Sequence, residues 1–197
     1  MKKKSKAKKK SRISSSAKTR GFSFYICCFF VYSLLGWAYE VFLETVVYHW
    51  GFTNRGVLFG PYCPIYGFGA LVFIFTVYRL INGKSVKDKI LLIPTVFLGC
   101  AIIATAIELA ASYILEASMG YWPWQTYVDY AVNFQGRVAL SPSVRFGIGG
   151  TVFLYVLQPA LERLFSRFKT RKLAIVITCI MLVDAGVFAA RHFLGWL

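Results

Sequence analysis

Acidic residues are scarce in this chain. Eight Asp and Glu stand against 23 Lys and Arg in 197 residues, a net charge of +15. Histidine occurs only at His49 and His192, and no HxxxH, HExxH or DxD pattern exists, so neither a metal site nor a cofactor is expected. The five cysteines, Cys27, Cys28, Cys63, Cys100 and Cys179, form no CxxC pair. They read as reduced, buried small hydrophobes rather than a disulfide or zinc framework. No P-loop, GxSxG or GxGxxG stretch is present, so ATP-driven work would need a separate ATPase subunit. Charged residues make up 16% of the chain, against about 25% in soluble domains, which excludes an ordinary soluble protein.

Apolar runs take the place of charge. The chain is 57% hydrophobic and 18% aromatic, with mean hydropathy +0.58. Five segments are long and apolar enough to cross a membrane, at about 22–48, 66–81, 90–114, 144–162 and 173–195. The first is too long for a signal-peptide core and carries Glu40 and Glu44, so it reads as a span. Ten basic residues and no acid fill residues 1–20. The rest of the chain sets thirteen bases against eight acids and keeps only +5. Residues 1–21 therefore read as a disordered, Lys-rich tail on anionic lipid, and the absence of interleaved aromatics argues against a nucleic-acid partner. Two further basic clusters fall near 79–89 and 163–172. With five spans, all three clusters share one side, which predicts a cytoplasmic N-terminus and an extracytoplasmic C-terminus.

The two outer loops, 49–65 and 115–143, are rich in Gly, Pro, Trp and Tyr. They are expected to fold back onto the bundle, with Gly56, Gly60, Pro61, Pro64, Tyr66 and Gly67 shaping the first. A weak repeat links the two halves. Glu40, Asn54 and Phe68-Gly69 are echoed by Glu108, Asn133 and Phe146-Gly147, with Asn-to-Phe spacings of 14 and 13 and Glu-to-Asn spacings of 14 and 25. This predicts two tandem helical hairpins, with the fifth span outside them.

Acids at membrane depth are costly and usually face a partner or a cavity. Glu40, Glu44 and Glu108 fall in the outer halves of their spans, and Arg55, Arg137 and Arg145 enter from the same side. Two readings stand. The layer pairs and locks the loops onto spans 1 and 3, or it lines an outward-facing site for a small solute. Glu40 and Glu44, four residues apart, could also share a proton. Asp184, near the middle of span 5, reads as a buried hydrogen-bonding contact or a proton relay.

The run from Gly36-Trp37 through Glu40 to Asn54-Arg55-Gly56 and on to Gly69 carries a specific likeness. With Asp129-Tyr130, Asn133, Gly136-Arg137 and Ser143 to Gly147, it resembles the bacterial family labelled Putative ABC-transporter type IV. The family's Trp before the Asp is Val128 here. The resemblance spans about residues 25–165 and implies a multi-pass permease-like protein with no assigned catalytic residues. The expected protein is thus an all-α, five-span transporter-type subunit, with a homo-oligomer as a further possible assembly. The alternatives are a membrane enzyme acting on lipid or isoprenoid head groups and a non-catalytic scaffold. The inner loops, eight to ten residues long, leave little room for an ATPase-coupling helix.

Overall fold

The computed structural model describes residues 21–56 and 58–193. The Lys-rich tail expected over 1–21 lies outside them apart from Gly21. Five helices are long and apolar enough to cross a membrane: α1 Phe22–Val47, α2 Pro64–Ile81, α3 Ile93–Met119, α4 Leu140–Phe165 and α5 Thr170–Phe193. The molecule is an all-α polytopic membrane protein, with one two-stranded ribbon among the described residues.

The helix ends follow local chemistry. Pro64 opens α2, where its missing N–H costs nothing. Helix α3 runs five residues past its expected end at 114, because nothing breaks it before Gly120, which takes the left-handed conformation at φ +78°. Helix α4 starts at Leu140 rather than 144, since Pro142 is tolerated in a first turn. Its π-helical turn, Phe153–Leu157, precedes Pro159, whose ring would clash with the Tyr155 carbonyl in a regular helix. The basic connection 82–92 contains a six-residue helix, Val86–Leu91, capped by Ser85. The short loop expected there thus holds a helix after all, whose Val86, Ile90 and Leu91 are exposed.

The closest helix pairs are α1 with α2 and α3 with α4, two hairpins in sequence order. Small residues set their spacing, as membrane helices require in the absence of a hydrophobic drive between them. A Cβ on Gly67 would come within 2.7 Å of Phe29 and 2.4 Å of Ser33. One on Gly147 would come within 2.7 Å of Phe97 and 3.1 Å of Ala101. Phe97, Ala101 and Glu108 stand 68 residues after Phe29, Ser33 and Glu40, and Gly147 stands 80 after Gly67. The two hairpins therefore repeat one packing motif. The sequence register that paired Phe68-Gly69 with Phe146-Gly147 shifts by two residues, because the glycine at the close contact decides the equivalence.

The hairpins meet where Gly150 lies against Phe73, and through Tyr32, whose hydroxyl donates to Gln158 at 2.9 Å. Helix α5 packs on α1, with Ser23 and Thr170 hydroxyls 3.0 Å apart at the basic end. The core centres on Cys27, Cys28, Ile81, Val96, Cys100 and Leu154. Ile102, Ile114, Val156, Leu182 and Val183 point outward, as on a lipid-facing surface.

The repeated contact makes a direct test. Gly67→Ala and Gly147→Ala are each expected to lower stability by about 1–3 kcal/mol through overpacking. Gly69→Ala and Gly149→Ala, where the new Cβ meets open space, are expected to be neutral or to stabilise by up to about 1 kcal/mol through helix propensity. Thermal melts in detergent distinguish the two pairs.

Candidate functional site

The polar groups gather at the end of the bundle opposite the basic clusters, where residues 48–63 and 120–139 connect the helices of each hairpin. The first connection is not a surface loop. The Cys63 N–H donates to the Ser33 carbonyl at 2.9 Å, and Ser33 lies near the middle of α1. Tyr62 and Cys63 are buried. Irregular backbone at that depth persists only where protein satisfies it.

Two carboxylates do so. Helix α1 ends in a π-helical turn, Leu43–Val47, that carries the buried Glu44. Glu44 accepts from the Thr53 hydroxyl at 2.7 Å and from Arg55, whose guanidinium lies 2.9 Å away. Asp184 of α5 accepts from the Phe59 and Gly60 N–H groups at 3.1 and 2.9 Å and from the Tyr62 hydroxyl. Its partners thus lie in the loop, not on a neighbouring helix. Beside it, Pro61, Tyr62, Phe30, Ile180 and Val183 line an open groove of about 550 Å³. Asn54 accepts from the Trp37 indole at 2.8 Å and donates to the Phe59 carbonyl at 2.9 Å, which closes the turn. A Cβ on Gly56, where φ is +103°, would come within 3.2 Å of the Cys63 sulfur and the Tyr62 carbonyl.

The second connection folds around a short hairpin. Strands β1, Asn133–Phe134, and β2, Val138–Ala139, pair through a turn with positive φ at Gln135 and Gly136. That combination fits a type I′ turn, which favours glycine at its second position. Asn133 accepts from the Gly136 N–H at 2.9 Å and donates to the Tyr130 carbonyl at 2.8 Å. Arg137 is buried between the Tyr113 and Trp122 rings, 4.1 and 4.2 Å from their centroids. It pairs with Glu116 and donates to Ser112 at 3.4 Å. Glu116 was missed as a site residue because the sequence placed it in a loop; the continuous α3 puts it one turn beyond Ser112 and two beyond Glu108.

A third group stands between these clamps. Glu40 accepts from the Tyr66 hydroxyl, and the Tyr66 ring packs on Gly36 of α1. Glu108, buried, accepts from the Tyr127 hydroxyl at 2.9 Å. Arg145 donates to the Tyr130 hydroxyl at 2.6 Å and to Tyr48 at 3.5 Å. Among the described residues, neither carboxylate nor Arg145 forms an ion pair. Glu40 and Glu44 hold separate partners, Tyr66 and Arg55. The expected layer of three acids and three arginines thus divides. Arg55 and Arg137 pin loops, while Glu40, Glu108 and Arg145 bond to tyrosines. Burial first, then the Glu108 carboxylate, holds the Tyr127 phenol well above its usual range; Glu40 adds to this and Arg145 opposes it. The phenol therefore stays a neutral donor. No group of three or more His, Cys, Asp or Glu among the described residues could hold a metal ion.

Burial likewise raises the Tyr62 phenol, reinforced by its bond to Asp184, and pushes the Cys63 thiol up to about 11. At pH 8 only about one Cys63 in a thousand is thiolate, and the thiolate is the reactive form. Cys63 is expected to resist maleimide at pH 8 and to gain rate about tenfold per pH unit up to about 11. Asp184→Ala releases the buried turn and is expected to speed labelling at least tenfold at pH 8. Equal rates in both proteins would show that Asp184 does not hold the loop.

The family described as Putative ABC-transporter type IV matches residues 27–190. No curated protein and no solved structure matches the chain.

Proposed function

Because the chain belongs to the family described as Putative ABC-transporter type IV, we propose that it is a transporter-type membrane subunit whose loop end binds a small solute. The five spans and the family support a transporter-like role in the membrane. The observation that carries the site is the repeated carboxylate. Each hairpin presents one acid at the equivalent position, Glu40 or Glu108, bonded to a tyrosine rather than to a cation. A purely structural layer would match these charges as it matches Glu44 with Arg55. Isolated carboxylates in an apolar bundle instead suit a ligand that enters and leaves.

The basic end, with Arg79, Lys84, Lys87, Lys89, Arg163, Arg167, Lys169, Arg171 and Lys172, faces the cytoplasm in this reading, and the site faces outward. The host membrane is then the bacterial plasma membrane, with the Lys-rich tail on its anionic inner leaflet. Energy comes from a separate ATPase. Its docking element is the exposed helix Val86–Leu91, which combines Val86, Ile90 and Leu91 with Lys87 and Lys89.

An affinity pull-down in mild detergent, followed by mass spectrometry, tests the reading. Wild-type protein is expected to retain a stoichiometric ATPase. Ile90→Glu is expected to lose it, and Glu40→Gln/Glu108→Gln to keep it while abolishing solute-stimulated ATP turnover. Absence of any ATPase from the wild-type eluate would overturn the ATP-coupled assignment.

A further inference from the structure

Glu108 is 7% exposed, and only one of its two oxygens is used. Oε1 accepts from Tyr127, while Oε2 is fully buried and has no hydrogen-bond partner. A carboxylate oxygen sealed from water without a donor is costly, so a donor belongs there.

The surroundings define that donor. Among the described residues, Glu40 on α1 and Arg145 on α4 act electrostatically on Glu108. Arg145 already donates to Tyr130, Tyr48 and Ser141. Glu40 is bonded to a neutral phenol. With both acids ionised, two carboxylates against one guanidinium leave a single negative charge to be matched, which selects a monocation over an anion or a neutral solute. The bare atom is an acceptor, so the cation must bring an N–H. Aromatic rings stand beside both acids: Tyr127 and Tyr130 meet edge to face at 5.5 Å, and Tyr39 and Tyr66 at 6.4 Å. Such rings attract ammonium groups through their π faces. Arg137 Nε also lacks a partner, but its charge is matched by Glu116 and both guanidinium faces are covered.

We propose that the loop end holds a binding site for a protonated amine, with Glu108 Oε2 as the principal acceptor and Glu40 as the second carboxylate. The assignment rests on the reading of these two acids as the solute site and adds the chemical class of the solute. The amine is either a free solute or the ethanolammonium headgroup of a lipid.

Calorimetric titration of the full chain in phosphatidylglycerol nanodiscs tests this. The probes are ethylammonium, benzylammonium and butylammonium chlorides, each against ethanol, benzyl alcohol or 1-butanol. At least one amine is expected to bind, with its neutral counterpart at least tenfold weaker. Glu108→Gln keeps an acceptor for Tyr127 and removes the charge, so it should weaken amine binding tenfold or more without a change in melting temperature. Glu40→Gln should weaken it in the same direction and serves if Glu108→Gln misfolds. Loss of the titration in phosphatidylethanolamine nanodiscs assigns the lipid headgroup; an unchanged titration assigns a free solute. Equal binding of amine and alcohol, no amine binding in phosphatidylglycerol, or full binding by both variants overturns the proposal. So does a melting temperature that responds to pH and to no amine, which would place a proton on Oε2. Amine binding without a co-purified ATPase would overturn the coupling reading alone, and an ATPase without amine binding would overturn the ammonium assignment alone.

Discussion

Backbone polar groups at membrane depth must find partners inside the protein, and this constraint shapes the loop end of the bundle. Between α1 and α2 the chain descends to the level of Ser33 without helical hydrogen bonds. Its N–H groups are met by the Ser33 carbonyl and by Asp184, while Glu44 anchors Thr53 and Arg55 nearby. Charged groups that would be expensive in an apolar bundle thereby become structural ties. The same constraint explains why α5, which lies outside the repeat, is bound to the first hairpin at two levels: by Ser23 and Thr170 at the basic end, and by Asp184 on the loop near its middle.

Two kinds of charge therefore coexist within a few turns. Glu44, Asp184 and Glu116 each meet a cation or several N–H and O–H donors from a loop, and they pin it. Glu40 and Glu108 each meet one tyrosine hydroxyl. The difference is not visible in residue type, since four of the five are glutamates. It lies in what the folded chain brings to each carboxylate. The repeat sharpens the contrast. Position 44 in the first hairpin corresponds to Ser112 in the second, so the pinning acid is displaced one turn to Glu116, whereas the glutamate at 40 and 108 is kept in both.

Aromatic residues do two jobs at the loop end. Trp50 is exposed and stacks on Tyr48 at 4.7 Å, as an interfacial residue would. Trp122 and Trp124 instead donate to the Gly136 and Arg137 carbonyls at 3.3 and 2.8 Å and clamp the small hairpin over Arg137. The outer tyrosines act mainly through their hydroxyls: Tyr66, Tyr127 and Tyr130 each hold a charged group.

The five spans were legible in the sequence. A crossing helix must be apolar over a known length, and composition is a local property that a single chain displays. The tandem hairpins were also visible, though two residues out of register, because counting motifs does not reveal which glycine touches the neighbouring helix. Partner choice was decided only by the tertiary structure. Arg137 reaches Glu116 because α3 continues to Met119, and Asp184 reaches Gly60 because α5 packs against the first hairpin. Both depend on contacts between segments distant in sequence. Hydrogen bonding and ion pairing act over a few ångströms of space, and residue spacing along the chain does not fix which groups arrive within that range.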